Sequence, residues 1–79
     1  MPPRLTTEQR RVAQLGFLIR ARRCEQGMRQ EDLAQLARIA PATLRRIERG
    51  EGAGPNVFVV LRLFEELDLP VDQLTRVRG

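Results

Sequence analysis

The stretch "QEDLAQLARIAPATLRRIERG", residues 30–50, carries four arginines, Arg38, Arg45, Arg46 and Arg49. A guanidinium is a planar fork of N–H donors that grips carboxylates and phosphates through two bonds at once. The whole chain has 14 basic residues, every one an arginine, against 10 acids. Their distribution is uneven. Residues 1–50 hold 11 arginines and 5 acids, and residues 51–79 hold 3 arginines and 5 acids. Such asymmetry suggests that the first half meets a polyanion while the second does something else. A solvated basic face accounts for the same numbers.

Other chemistries are poorly supplied. There is no histidine and a single cysteine, Cys24. That rules against a zinc site and an internal disulfide, and a lone thiol fits a reducing compartment. No catalytic residue is expected, and no cofactor. "GEGAGP" lacks the Lys-Ser/Thr of a phosphate-binding loop and reads as a connection between helices. No apolar run approaches membrane length, so we expect no membrane partner and a cytoplasmic location.

The elements that must position the arginines follow from caps and periodicity. Seventy-nine residues suit one domain with a small core. Residues 1–6 read as a loose tail and residues 7–79 as the domain. Thr6 and Gln9 have capping-box spacing, and a helix is expected over 7–26, with Val12, Leu15, Leu18 and Ile19 inward and Gly27 as its stop. A second helix opens near Gln30, with Met28, Leu33, Leu36 and Ala37 on its inner face. Pro41 favours a third start, and residues 41–49 place Leu44 and Ile47 inward with Arg45, Arg46 and Arg49 outward. Asn56 caps a fourth helix whose core stripe is Val57, Val60, Leu63 and Leu67. Pro70 starts a short fifth. The expectation is an all-α, compact five-helix domain.

Counting from Gln30, Leu33, Leu36, Ile39, Leu44 and Ile47 form the apolar frame of two helices crossing steeply through a short turn. Ala34 permits close approach, and Ile39 plugs the gap. This segment resembles the helix-turn-helix of the lambda-repressor-like (Xre, Cro/cI-type) DNA-binding family. "LGFLIRARRCEQGMRQEDLA", "LRRIERG" and "PNVFVVLRLFEELDL" extend the resemblance over about residues 15–74.

The resemblance implies a sequence-specific transcriptional regulator whose partner is double-stranded DNA, with residues 41–49 in the major groove. Arg29, Gln30, Arg38, Ala42, Thr43, Arg45, Arg46 and Arg49 are the implied DNA-binding residues. Gln30 is expected to touch the backbone and brace the recognition helix. Arg29, like Arg20 or Arg22, is expected to reach phosphate. Ala42 and the Thr43 methyl suit a thymine methyl, and Arg45 and Arg46 suit guanine. Arg23 and Glu48 match a family pair that is an internal salt bridge. Helices four and five, about residues 56–77, imply a homodimer interface at Phe58, Val59, Leu61, Val71 and Leu74, and so an inverted-repeat operator. The alternative is a protein-interaction module or antitoxin-like regulator, bound through helices four and five to a toxin, a polymerase or an anti-regulator. The Ala-Pro-Ala start of the recognition helix favours that alternative, and the Arg45-Arg46 pair opposes it.

Overall fold

The computed structural model describes residues 6–52, 54–70 and 72. Four helices are present among them: α1 (Thr7–Glu25), α2 (Gln30–Ala37), α3 (Pro41–Glu48) and α4 (Val57–Glu66). No strand occurs among the described residues. The expected fifth helix, with Val71 and Leu74, lies outside them except for Pro70 and Asp72, and of the expected tail over residues 1–6 only Thr6 is described, as the cap residue of α1.

Local chemistry explains each boundary. Thr6 Oγ1 accepts from the Gln9 amide at 3.1 Å, and Gln9 Oε1 accepts from the Thr6 amide at 2.7 Å. Two of the orphan donors at the start of α1 are thereby satisfied. Pro41 occupies the first turn of α3, where its missing N–H costs nothing. Asn56 Oδ1 accepts from the Phe58 amide at 2.7 Å and opens α4. At the ends, the chain turns back through a left-handed residue every time: Gly27, Arg38, Gly50 and Asp68. In each case the next amide reaches a carbonyl five residues earlier, as Ile39 does to Ala34 at 3.0 Å and Leu69 to Phe64 at 2.8 Å. Arg38, at φ 59° and ψ 44°, takes the conformation that glycine adopts at no cost. The strain on its Cβ is about 1 kcal/mol.

Ile19, Leu33, Ala34, Ala37, Leu44, Ile47, Val60, Leu63, Phe64 and Leu67 form the core. Leu15, Leu18, Met28, Ile39, Val59 and Leu69 close over it. Two inward assignments are corrected. Leu36 is 51% exposed and Val57 is 58% exposed. In α2 the buried arc is Leu33, Ala34 and Ala37, and Leu36 sits about 100° round from Ala37 on the outer margin. In α4 the arc is Val60, Leu63 and Phe64, continued by Leu67, which leaves Val57 at the edge of the first turn. Val59, expected at the dimer interface, packs half-buried against the core.

The crossing of α1 over the end of α3 depends on one missing side chain. A Cβ on Gly16 would collide with the Ile47 carbonyl oxygen and lie 3.0 Å from that of Glu48. Next to it, Gly50 combines a φ of +70° with an approach in which a Cβ would stand 2.8 Å from Ala13 Cα. Helix propensity alone favours Ala over Gly by ~1 kcal/mol. The obstacle here is backbone, which cannot swing aside as a side-chain tip can. Gly16→Ala is therefore expected to lower stability by ~1–3 kcal/mol, read as a lower urea midpoint at unchanged slope. A midpoint raised to the level propensity predicts would refute this account of the crossing.

Candidate nucleic-acid interface

The outer face of α3 is built by subtraction. Leu44, Ile47 and Glu48 are buried, so Ala42, Thr43, Arg45 and Arg46 are left exposed. The helix is only 8 residues long. A helix so short does not hold in water by propensity. Its position comes from what grips the inner side.

That grip is polar as well as apolar. Arg23 of α1 donates to the Glu48 carboxylate twice, from Nε to Oε2 at 2.7 Å and from Nη2 to Oε1 at 3.0 Å. Its Nη1 donates to the Met28 carbonyl at 2.8 Å. The two side chains are 11% and 2% exposed. The bonds to Glu48 hold the Arg23 guanidinium protonated above its already high range, against the opposite pull of burial. Gln30, at the start of α2, completes the arrangement by donating from Nε2 to Glu48 Oε1 at 3.0 Å. A carboxylate can only accept, so it fixes which way the Gln30 amide points. One Nε2 hydrogen is used on Glu48. Arg20, Arg23, Gln30, Glu48 and Arg49 line a polar cleft of about 270 Å³ here.

The remaining basic residues divide by what they touch. Arg29, the cap residue of α2, is bound to Asp32: Nε donates to Oδ2 at 3.2 Å and Nη2 to Oδ1 at 3.1 Å. Asp32 Oδ2 also accepts the Arg29 amide at 2.9 Å. Asp32 thus supplies one half of a capping box, meeting the Arg29 amide, while the arginine side chain, which has no acceptor, cannot supply the other. The guanidinium, and then the backbone N–H, hold the Asp32 carboxyl below the usual carboxylate range. Arg49 Nη1 lies 3.7 Å from Glu51 Oε1. Arg22, expected as one of the phosphate contacts, donates from Nε to the Leu67 carbonyl at 3.1 Å and from Nη1 to Glu25 at 3.3 Å. Gln26 Nε2 donates to the same Leu67 carbonyl at 2.8 Å, so the end of α1 holds the end of α4.

Arg20, Arg38, Arg45 and Arg46 make no ion pair among the described residues. Arg46 lies along the loop after α3, with Nη2 3.6 Å from where a Cβ on Gly52 would be. With Thr43, Ile47, Asn56 and Val59 it lines a groove of about 230 Å³ between α3 and α4. On α4, Phe58 is 70% and Leu61 37% exposed. The sequence reading passed over Gly16, the Arg29–Asp32 pair and Gln26. The i,i+3 spacing of Arg29 and Asp32 was the available signal for the pair. A glycine inside an otherwise regular helix was the signal for Gly16.

No group of three or more His, Cys, Asp or Glu side chains suited to a metal occurs among the described residues. No helix among them is long and apolar enough to cross a membrane.

Residues 19–74 match the helix-turn-helix family. No curated relative matches the sequence. Among solved structures, the fold is similar to that of the clp gene regulator ClgR from Corynebacterium glutamicum. The TM-score is 0.77 at 23% identity, and the match covers 95% of this chain and 73% of that one.

Two measurements follow from the ion pairs. Arg23→Ala leaves the buried Glu48 carboxylate with Gln30 alone and is expected to cost ~3–5 kcal/mol, read by chemical denaturation. Loss below ~1 kcal/mol would mean that the pair is solvated like a surface one. For Asp32 the sign runs the other way from a buried base. Its folded pKa is depressed, so its contribution is present above the usual carboxylate range and is lost as pH falls through the folded value. Arg29→Ala should lower the midpoint slightly at neutral pH and converge on the wild type in acid, so that the acid-side loss of stability is shallower. An acid limb identical to that of the wild type would contradict it.

Proposed function

The chain belongs to the lambda-repressor-like (Xre) helix-turn-helix family, and on that premise we propose that it regulates transcription as a dimer on an inverted-repeat operator. The observation that carries this reading is the division of α3. One side is locked by Leu44, Ile47 and Glu48, and the other presents Thr43, Arg45 and Arg46 to solvent.

In the proposed complex α3 lies in the major groove. Arg45 and Arg46 each have the donor fork that matches guanine O6 and N7, and Ala42 with the Thr43 methyl suits a thymine methyl. Arg46 leaves the loop beside Gly52 to reach a base edge. Gln30 offers phosphate its second Nε2 hydrogen, already aimed by Glu48. Arg20, Arg38 and Arg49 add charge around it. Phe58 and Leu61, with Val71 and Leu74 beyond the described residues, supply the two-fold interface. Val59 contributes less, because the core already covers part of it. The cytoplasm is the compartment for such a protein, and catalysis is no part of the role.

A second reading has its own support. Phe17 and Phe58 are 73% and 70% exposed, more than a DNA-only domain requires. A protein partner held by Phe58 is consistent with that exposure.

Selection of bound duplexes from a random pool, at two salt concentrations, tests the proposal. The expected product is an inverted repeat with half-sites about one turn, ~34 Å, apart. Arg46→Ala should retain the fold by circular dichroism and lose ~1–3 kcal/mol of discrimination at one base pair of each half-site. Unchanged preference in that variant sinks the base-reading role. No enriched motif at all, with weak binding that vanishes at moderate salt, transfers the function to a protein partner.

A further inference from the structure

Arg49 lines the polar cleft, Arg29 immediately precedes Gln30, which lines it too, and each of these arginines carries an acid on its guanidinium. Asp32 occupies two N–H groups of Arg29, at 3.2 and 3.1 Å, in the side-on fork that a phosphate would take. Glu51 stands 3.7 Å from Arg49. All four side chains are well exposed, at 76% and 41% for the first pair and 67% and 50% for the second. They therefore lie where a duplex backbone can reach them, unlike Arg23 and Glu48. Arg20, Arg38, Arg45 and Arg46 have no such counter-ion among the described residues.

We infer that Asp32 and Glu51 are affinity-limiting residues, resident stand-ins for phosphate that hold down the domain's attraction to the DNA backbone. The inference rests on the DNA-binding reading above. A phosphate approaching Arg29 meets a neutral pair rather than a cation. It must displace the carboxylate or share the guanidinium with it. Either way, fewer mobile cations leave the duplex per contact, so both affinity and its dependence on salt are lowered. The arginines without counter-ions face no such competition. Binding is thus weighted toward α3, and the contribution from backbone charge that ignores sequence is trimmed at the edges.

Asp32→Asn and Glu51→Gln remove the charge and keep the shape. An asparagine at position 32 can still accept the Arg29 amide, so the cap on α2 survives. The probe is a defined duplex carrying the selected site, titrated with wild type, each single variant and the double variant across salt concentrations. Each single variant frees one arginine per protomer, two in the dimer, and is expected to steepen the slope of log K against log salt by about 1.8, and the double variant by about 3.6. For a single variant this corresponds to roughly sixtyfold tighter binding of the dimer at about 0.1 M salt, converging on the wild type near 1 M. Arg29→Ala should weaken binding far more in the Asp32→Asn background than in the wild type. Slopes equal to the wild type in both single variants would overturn the inference, as would an Arg29→Ala effect that is the same in both backgrounds. A wild type that binds no duplex would instead overturn the reading beneath it.

Discussion

The Glu48 carboxylate is the point on which the domain turns. It is a charge withdrawn almost wholly from water, and such a charge is tolerated only when its lone pairs are met. Arg23 and Gln30 meet them, one from α1 and one from α2, so a single group on α3 fixes the relation of three helices. No buried side-chain polar atom among the described residues lacks a partner. Gly16 makes the arrangement reachable, because it lets α1 come close enough for Arg23, two turns further along, to span the gap. Apolar packing alone would hold α3 in place, but with more freedom to roll about its axis. A bidentate ion pair constrains that rotation.

Magnitudes separate the ion pairs by role. A buried pair stripped of one member loses ~3–5 kcal/mol, a large share of the stability a small domain has. Exposed pairs contribute little to folding because water and salt screen them. Arg29–Asp32 and Arg49–Glu51 are exposed, and hence exchangeable: their arginines can trade a carboxylate for another anion without disturbing the core. Arg23–Glu48 cannot. The same pair of residue types is thus structural in one place and available for recognition in another, and burial alone decides which.

Much of the fold was legible in the sequence because its signals are local. Thr6 with Gln9, Pro41, Asn56 and the glycines at 27 and 50 mark helix ends within a few residues of themselves. What the sequence left obscure depends on distant chain. Gly16 needs to be glycine because of carbonyls at Ile47 and Glu48. Leu36 and Val57 fit an inward stripe by spacing, yet fall at the margins because short helices bury a narrow arc whose centre is set by their neighbours. The partnership of Arg23 with Glu48 came from resemblance to a family and not from spacing. Arg29 was read by its charge alone, although Asp32 stood one turn away. A charge read singly invites a functional role, and its neighbour on the same helix face has to be considered with it.

The separation of the two sides of α3 has an evolutionary consequence. Ala42, Thr43, Arg45 and Arg46 carry no packing duty, so their identities can drift without passing through a misfolded ancestor. Duplicated copies of such a domain can diverge in what they recognise one substitution at a time, while the residues that hold the helix stay under purifying constraint. The fold thereby behaves as a reusable chassis with a replaceable head.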